Sequence, residues 1–205
     1  AIVGGSKVST KIDLLNNLIH KVDTLIVGGG MANTFLLAQG FFIGASLAEH
    51  ALKDSALNIL NSAEKAGCRI LLPTDVVVAK ELNVNVESFV VPVNECPEDR
   101  MILDVGPQTV ERIKESLLNS ETLVWNGPLG AFEIGPFDRA TTDLANFVSK
   151  LSNNNKLVSI AGGGDTLAAL KNAEASNGFS YLSTAGGAFL EWMEGKKLPG
   201  ITALQ

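Results

Sequence analysis

The sequence lacks the features that mark several classes of protein. Its 205 residues include only two cysteines and two histidines, and Cys68 and Cys96 have no neighbouring histidine or third thiol. This argues against a disulfide framework or a zinc site and predicts that both thiols are reduced packing residues. His20 and His50 have no nucleophile or carboxylate cluster beside them, so we expect both on the surface.

Long apolar runs and basic clusters are also missing. No apolar run approaches the roughly 18 to 20 residues that cross a bilayer, and the opening AIVGGSKVSTK lacks the layout of a secretory signal. The formal charge of -6 argues against a nucleic-acid or membrane surface, since both need clustered lysine and arginine. We therefore expect a cytoplasmic protein that binds neither nucleic acid nor a membrane. A nucleotide is still compatible with this charge, because a small anion needs only local amides and one or two cations.

Short apolar runs alternate with helical patterns along the whole chain. The runs are AIVG, TLIVG, RILLP, TLVWN and KLVSIAG, and an amphipathic segment follows each of them. This alternation predicts an α/β fold, with a doubly wound, mainly parallel sheet covered by helices on both faces. Between Pro73 and Pro107, looser alternation and several prolines predict small antiparallel strands inserted into that sheet. We see no linker and expect one domain over residues 1–205.

Four junctions between strand and helix are rich in glycine: AIVGGSKVSTKI, TLIVGGGMANTFLL, VSIAGGGDTLAAL and LSTAGGAFLEWM. In a parallel sheet such junctions meet at the carboxyl ends of the strands, where ligands bind. A tight turn explains any one of them, but four favour an anion held by backbone amides and helix N-termini. The Rossmann dinucleotide pattern fails, because Asn33 and Leu167 stand where its last glycine is required, and GGSKVST does not form a P-loop.

Side chains beside these junctions suit a phosphorylated ligand. Asp165 and Thr166 follow three consecutive glycines, and they are explained either as helix caps or, for Asp165, as a partner of hydrated Mg²⁺ on a phosphate. Lys7 and Lys11 are four residues apart, so a helix beginning near Ser9 would place both on one side of its amino end. Cations are unfavourable there unless an anion lies between them.

The chain carries, in this order, GGSKVSTKI, GGGMANTFL, LDVGPQT, WNGPLGAFE, AGGGDT and STAGGAFLEWMEGKKLPG. Together these motifs resemble the carboxyl-terminal, nucleotide-binding half of the phosphoglycerate kinases. The resemblance implies a Rossmann-like, three-layer αβα domain that binds ADP or ATP with Mg²⁺. It also implies a reversible phosphoryl transfer between 1,3-bisphosphoglycerate and ADP in glycolysis. The amino-terminal domain of the family, through which phosphoglycerate would bind, is absent from these residues, so we expect binding of nucleotide with little or no turnover. We also expect a monomer.

The resemblance further implies roles for individual residues. Lys7 would steer the transferring phosphoryl group, Gly164 and Gly187 would be the other catalytic positions, and Asp165 would serve Mg²⁺. Glu133 would accept the ribose hydroxyls. The nucleotide-binding positions would be Gly4, Gly5, Gly28, Gly29, Leu103 and Ala131 around adenine, Asn126 and Pro128 beside the phosphates, Lys11, Gly162, Gly163, Gly164, Asp165 and Thr166 on the phosphates, and Gly186 near the moving phosphoryl group.

Three residues depart from the usual family pattern. Ser6 and Thr10 replace an alanine and an aspartate, and both are small enough to be tolerated. Ala185 replaces a glycine, which puts its own amide geometry in question because alanine disfavours a positive φ. The alternative function is a non-enzymatic, nucleotide-responsive module, since a fold alone does not fix function. A dinucleotide oxidoreductase is disfavoured by the failed glycine pattern.

Overall fold

The computed structural model describes residues 1–198, which form nine strands and seven α-helices. The strands are β1 (Ile2–Val3), β2 (Thr24–Val27), β3 (Arg69–Leu71), β4 (Asp75–Ala79), β5 (Ser88–Pro92), β6 (Met101–Val105), β7 (Thr122–Asn126), β8 (Val158–Gly162) and β9 (Tyr181–Ser183). The helices are α1 (Ile12–Leu18), α2 (Gly29–Ala38), α3 (Lys53–Ala66), α4 (Pro107–Leu118), α5 (Arg139–Asn153), α6 (Gly164–Asn172) and α7 (Gly186–Met193). Pro199 and Gly200, which end the last motif, lie outside the described residues, as does the remainder of the expected domain.

Six of the strands form one parallel sheet in the order β3-β2-β1-β7-β8-β9. Ile2 of the central strand β1 pairs with Ile26 on one side and with Trp125 on the other. The order therefore reverses between β1 and β7, which makes this position the topological switch point at which open parallel sheets bind ligands. The predicted doubly wound α/β fold is confirmed.

The sheet is buried on both faces, as its apolar runs predict. Because side chains alternate along a strand, Ile2 enters a core with α4, α5 and α6, whereas the adjacent Val3 enters a core with α1, α2, α3 and α7. Burial of both faces is the main source of stability of such a sheet.

The predicted insertion between Pro73 and Pro107 is a second, antiparallel sheet in the order β5-β4-β6. It is joined to the main domain by the buried carboxylate of Asp75, which accepts hydrogen bonds from the N–H groups of Gln108 (2.9 Å) and Thr109 (2.7 Å) in the first turn of α4. A carboxylate at a helix N-terminus satisfies amides that lack intrahelical partners. The small sheet therefore has a fixed position beside the carboxyl ends of the large one.

The expected start of the first helix is wrong. Residues 8–11 form a turn closed by the hydrogen bond from the N–H of Lys11 to the carbonyl of Val8 (2.8 Å), and α1 begins only at Ile12. Lys7 and Lys11 therefore do not share one face of a helix. The reason lies in tertiary contacts, because the ammonium of Lys11 turns toward the end of β7.

The cysteines and histidines lie as the sequence predicts. Cys68 and Cys96 are free, buried thiols in separate apolar clusters, and burial raises the pKa of each. His20 and His50 are exposed. Within the part of the chain that the structure describes, no helix is both long and apolar enough to span a bilayer.

Candidate functional site

The carboxyl edge of the six-stranded sheet brings the glycine-rich junctions into contact. The N–H of Gly4 donates to the carbonyl of Asn126 (2.9 Å), and the N–H of Gly29 donates to that of Leu129 (2.8 Å). A Cβ on Gly4 would overlap the carbonyl of Pro128, so this approach of two backbones requires a glycine. The loops after β1, β2 and β7 thus form one continuous surface at the switch point.

A pocket of about 340 Å³ lies between this edge and the three-stranded sheet. Of the residues expected around an adenine, its lining includes Gly5, Gly29, Leu103 and Ala131, together with the expected Pro128, Glu133 and Asp165. The N–H of Ala131 donates to the carbonyl of Leu103 (2.9 Å), which ties the loop after β7 to β6. Gly4 and Gly28 are buried and are not part of the lining, because they serve the contacts between loops. We call this pocket the slot.

Lys11 is not part of the lining of the slot but lies beside it, because its Nζ is 3.5 Å from the position that a Cβ on Gly5 would take. Its Nζ donates to the carbonyl of Gly4 (2.5 Å) and to Oδ1 of Asn126 (2.6 Å), and Nδ2 of Asn126 donates to the carbonyl of Gly162 (2.8 Å). Burial lowers the pKa of Lys11 from 10.5 to about 8, and the charge of Asp165 partly offsets that effect. A desolvated ammonium in this position would be stabilised by an anion.

The N-terminus of α6 lies beside this cation. Gly163 has a φ of 99°, which L-residues rarely adopt, and a Cβ there would lie 2.6 Å from Nδ2 of Asn126. Helix α6 begins at Gly164, so its first N–H groups lack intrahelical acceptors. Unpaired amides and the positive end of the helix dipole suit an anion.

The expectation that Asp165 and Thr166 cap this helix is wrong. The N-cap is Gly163, and no side chain makes a capping hydrogen bond. Thr166 is buried and its Oγ1 accepts a hydrogen bond from the N–H of Gly127 (2.7 Å), while Asp165 is exposed in the first turn. Thr166 therefore links α6 to the loop after β7, and Asp165 is left facing solvent and the slot.

The last glycine-rich junction lies against this one. Helix α7 begins at Gly186, and a Cβ on Gly186 would lie 3.8 Å from the Cα of Gly163. Gly187 is exposed in the first turn of α7. Ala185 has a φ of -90°, so alanine is not strained there and the concern about its amide geometry does not apply.

The loop that carries Lys7 is held by a residue that sequence reasoning missed. Lys7 is exposed, and two residues later Ser9 donates to Glu49 from its N–H (2.9 Å) and from its Oγ (2.5 Å). Partial burial alone would raise the pKa of Glu49, but the hydrogen bonds from Ser9 and Val8 and the charge of Lys7 outweigh it and lower that pKa. No motif marks this contact, because its partners are 40 residues apart.

Asp104 is a second missed residue, and it lies in the wall of the slot. Its carboxyl group is buried and accepts hydrogen bonds from the N–H groups of Val105 (2.9 Å) and Ala140 (3.0 Å). Burial raises the pKa of Asp104 from 3.8 to about 8 despite those bonds, and the charge of Asp138 adds to the shift. Its place in LDVGPQT was the only signal available in the sequence.

A magnesium ion fits this arrangement only together with a ligand. Among residues 1–198 no group of three histidine, cysteine, aspartate or glutamate side chains is placed to hold a metal. Asp165 is a single exposed carboxylate beside free helix amides. Mg²⁺ commonly uses one or two carboxylates with phosphate oxygens and water, so a lone carboxylate suits a metal that arrives with a phosphate.

Comparison with known proteins agrees with these features. The family model described as phosphoglycerate kinase matches residues 1–196. The phosphoglycerate kinases of Chelativorans sp. (strain BNC1) and Zymomonas mobilis are each 60% identical over 205 residues, which are 100% of this chain and 52% of each relative. The structure of phosphoglycerate kinase from Coxiella burnetii matches with a TM-score of 0.94 at 49% identity, over 99% of this chain and 51% of that one. The chain thus spans about half the length of the curated relatives it matches.

Proposed function

The chain belongs to the phosphoglycerate kinase family, and from this premise we propose that it is the nucleotide-binding half of a phosphotransferase. The complete enzyme would transfer a phosphoryl group reversibly between 1,3-bisphosphoglycerate and ADP, giving 3-phosphoglycerate and ATP in the glycolysis of the cytoplasm. The observation that carries the proposal is the meeting of the slot, the Lys11 ammonium and the N-terminus of α6 at one edge of the sheet. Because residues 1–205 correspond to about half of each relative, the chain alone would bind Mg-ADP or Mg-ATP with little or no turnover.

The slot suits the nucleoside. Leu103 and Ala131 offer apolar surface to the faces of a planar base, and the exposed carboxylate of Glu133 lies in the same lining. Carboxylate oxygens accept hydrogen bonds, so Glu133 would accept those of the ribose hydroxyls. The base, by contrast, would be held mainly by burial of apolar area.

The phosphates would lie across Lys11 and the first turn of α6. Lys11 supplies a cation whose pKa burial has lowered, and the amides after Gly163 supply hydrogen-bond donors. Asp165 would hold magnesium, which when bound neutralises part of the phosphate charge. Lys7 would steer the transferring group, with the amides of Gly186 and Gly187 beside it. Phosphoryl transfer depends mostly on such positioning and charge stabilisation.

Calorimetry with Mg-ADP tests nucleotide binding by the chain. We expect saturable binding, and we expect Asp165→Asn to bind ADP equally well without magnesium but to lose most of the gain that magnesium gives. Asp165 is exposed, so this isosteric variant should fold normally. Failure of the unmodified chain to bind at millimolar nucleotide would refute the proposal.

A coupled assay tests the catalytic part. We expect negligible turnover by the chain alone, and transfer when the amino-terminal half of a close relative is added. Lys7→Met should abolish that transfer while ADP binding persists. Turnover by the chain alone at roughly 1 to 100 per second, as is usual for kinases, would contradict an incomplete site. If Lys7→Met left the response to the added half intact, the alternative of a nucleotide-responsive module would be favoured.

A further inference from the structure

The segment that follows α2 connects the wall of the slot to the loop that carries Lys7. This connecting segment, residues 43–49, contributes Leu47 to the lining of the slot. Two residues later, the carboxylate of Glu49 accepts hydrogen bonds from the N–H (2.9 Å) and the Oγ (2.5 Å) of Ser9. Two residues of chain span at most about 7 Å. The contact with a bound base and the contact with the Lys7 loop would therefore be made by neighbouring parts of one short segment.

The connecting segment is itself held against α2 on both sides of Ala48. The carbonyl of Leu47 accepts a hydrogen bond from Nδ2 of Asn33 (3.1 Å). The N–H of Glu49 donates to Oγ1 of Thr34 (3.0 Å), which is fully buried in α2. Because both bonds are made to the same helix, the backbone between Leu47 and Glu49 has little freedom to absorb a displacement. A change at the slot wall is therefore passed on to the carboxylate.

Glu49 acts mainly on the backbone of the Lys7 loop. Partial burial alone would raise the pKa of Glu49, but hydrogen bonds from Ser9 and Val8, and after them the charge of Lys7, lower it. The N–H groups of Ser9 and Val8 are among these donors, so the carboxylate fixes the chain one and two residues after Lys7. Lys7 itself is exposed. Its backbone is thus restrained while its side chain faces solvent.

We propose that Glu49 is a positioning residue for phosphoryl transfer, which holds the backbone beside Lys7 in place when a base occupies the slot. The inference rests on the proposed function, because it requires a nucleotide in the slot and a transfer step that uses Lys7. A base packed against Leu47 restrains the connecting segment, and Glu49 then restrains the amides of Val8 and Ser9. Loss of the carboxylate should slow transfer but hardly change nucleotide affinity, because Glu49 is not in the lining of the slot and its contact with Ser9 is already formed without a ligand.

Hydrogen exchange of the chain alone tests the coupling. In the unmodified chain, saturating Mg-ADP should slow amide exchange at Ser9 by about threefold or more. Glu49→Gln should lose this slowing, so that exchange is fast both with and without nucleotide, while ADP affinity by calorimetry changes by no more than about twofold. A purely structural role would instead raise both exchange rates by the same factor. Equal slowing by Mg-ADP in the two proteins would overturn the proposal.

Transfer with the amino-terminal half of a close relative separates positioning from binding. At a saturating amount of that half, Glu49→Gln should lower kcat by about three- to tenfold, as expected for one hydrogen bond, and leave the KM for nucleotide nearly unchanged. Ser9→Ala keeps its N–H bond and should lower kcat less. Combining the two changes should be no worse than Glu49→Gln alone, because both disrupt one contact. Effects that multiply would contradict the proposal.

A control and a failed binding experiment complete the test. Glu64→Gln removes an exposed carboxylate on α3 and should keep both kcat and KM. If ADP does not bind at millimolar concentration, or if no transfer follows addition of the other half, the proposed function fails and the role of Glu49 fails with it. If binding and transfer occur but Glu49→Gln behaves like Glu64→Gln, only the role of Glu49 is refuted.

Discussion

The two edges of the six-stranded sheet both carry pockets, and the larger one lies at the edge without glycine-rich junctions. The amino-edge pocket has a volume of about 760 Å³, against about 340 Å³ for the slot. Its lining includes Lys21, Arg69, Arg112, Glu115 and Glu121, so it carries charges of both signs. Size and charged side chains alone would favour this pocket as the ligand site.

For an anionic ligand, the direction of the helices favours the slot over the larger amino-edge pocket. Helices α2, α6 and α7 each begin within a glycine-rich junction at the carboxyl edge. The amino-edge pocket is instead lined by residues that follow the ends of α1 and α4, such as Lys21 and Asn119. Helix N-termini attract anions and helix C-termini repel them. The winding of the chain, more than pocket volume, therefore indicates where phosphate would bind.

Of the variants considered, Gly163→Ala should disturb the carboxyl edge most severely. The new Cβ would strain a φ of 99° and press on Nδ2 of Asn126. Strain and overlap together should lower the free energy of unfolding by about 2–4 kcal/mol, and ADP affinity should fall because the amides move. Urea denaturation and calorimetry measure the two effects.

Gly67→Ala is the matched control for that variant. Gly67 ends α3 near the amino edge with a φ of 76°, and a Cβ there would meet nothing within 4 Å. We expect a loss of about 1 kcal/mol in the free energy of unfolding and an unchanged ADP affinity. Equal loss of ADP affinity in both glycine variants would show that the carboxyl edge has no special role.

Lys11→Met should lower ADP affinity by about ten- to a hundredfold, since a hydrogen bond from a charged group is lost. Burial lowers the pKa of Lys11 to about 8, so the ADP affinity of the unmodified chain should decline as pH rises above about 8, while that of Lys11→Met stays flat.

The same pKa shift affects stability. The pKa of Lys11 in the folded chain lies below the ordinary 10.5, so folding releases protons and the free energy of unfolding should rise with pH between about 8 and 10.5.

Lys21→Met removes a cation from the amino-edge pocket instead. It should leave ADP affinity and its pH profile unchanged. Calorimetry over pH 7 to 10 compares the two lysine variants. A loss of affinity in Lys21→Met similar to that in Lys11→Met would mean that net charge, not position, governs binding.

Asp104→Asn should change the pH dependence of stability. The pKa of Asp104 is raised from 3.8 to about 8, so its contribution is full below about pH 4 and is lost as pH rises through 8. The free energy of unfolding should therefore fall with pH in that window, by up to about 1.4 kcal/mol per unit from this group. Asp104→Asn should remove this part of the slope in urea denaturation. The exposed Asp23→Asn at the amino edge should keep it, and equal slopes in both variants would contradict the prediction.

Glu49→Gln should have the smallest effect, confined to the loop that carries Lys7. The bonds from Ser9 are exposed, so we expect ADP affinity within about twofold and amide exchange at Ser9 faster by several-fold. Hydrogen exchange followed by mass spectrometry measures this. Glu115→Gln, at the exposed rim of the amino-edge pocket, serves as the control. Unchanged exchange at Ser9 would show that Glu49 does not hold the loop.

The strands and helices were predictable where a local pattern is strong. Runs such as KLVSIAG can be buried on both faces only in a covered parallel sheet, and the chain forms β8 there at Val158–Gly162. The start of α1 was not predictable, because the turn before it depends on where the ammonium of Lys11 goes. The structural partner of Thr166 was not predictable for a similar reason, since Gly127, whose N–H it accepts, lies 39 residues away.

By itself, the sequence determined the α/β fold and the kinds of residue gathered at the carboxyl edge of the sheet. These follow from periodicity and from glycine, which act over a few residues. Tertiary structure alone decided that Lys11 meets Asn126, 115 residues away, and that Asn33 donates to Leu47. Two polar groups form a hydrogen bond only when packing brings them within about 3 Å of each other. For groups this far apart in the chain, local sequence spacing does not predict that contact.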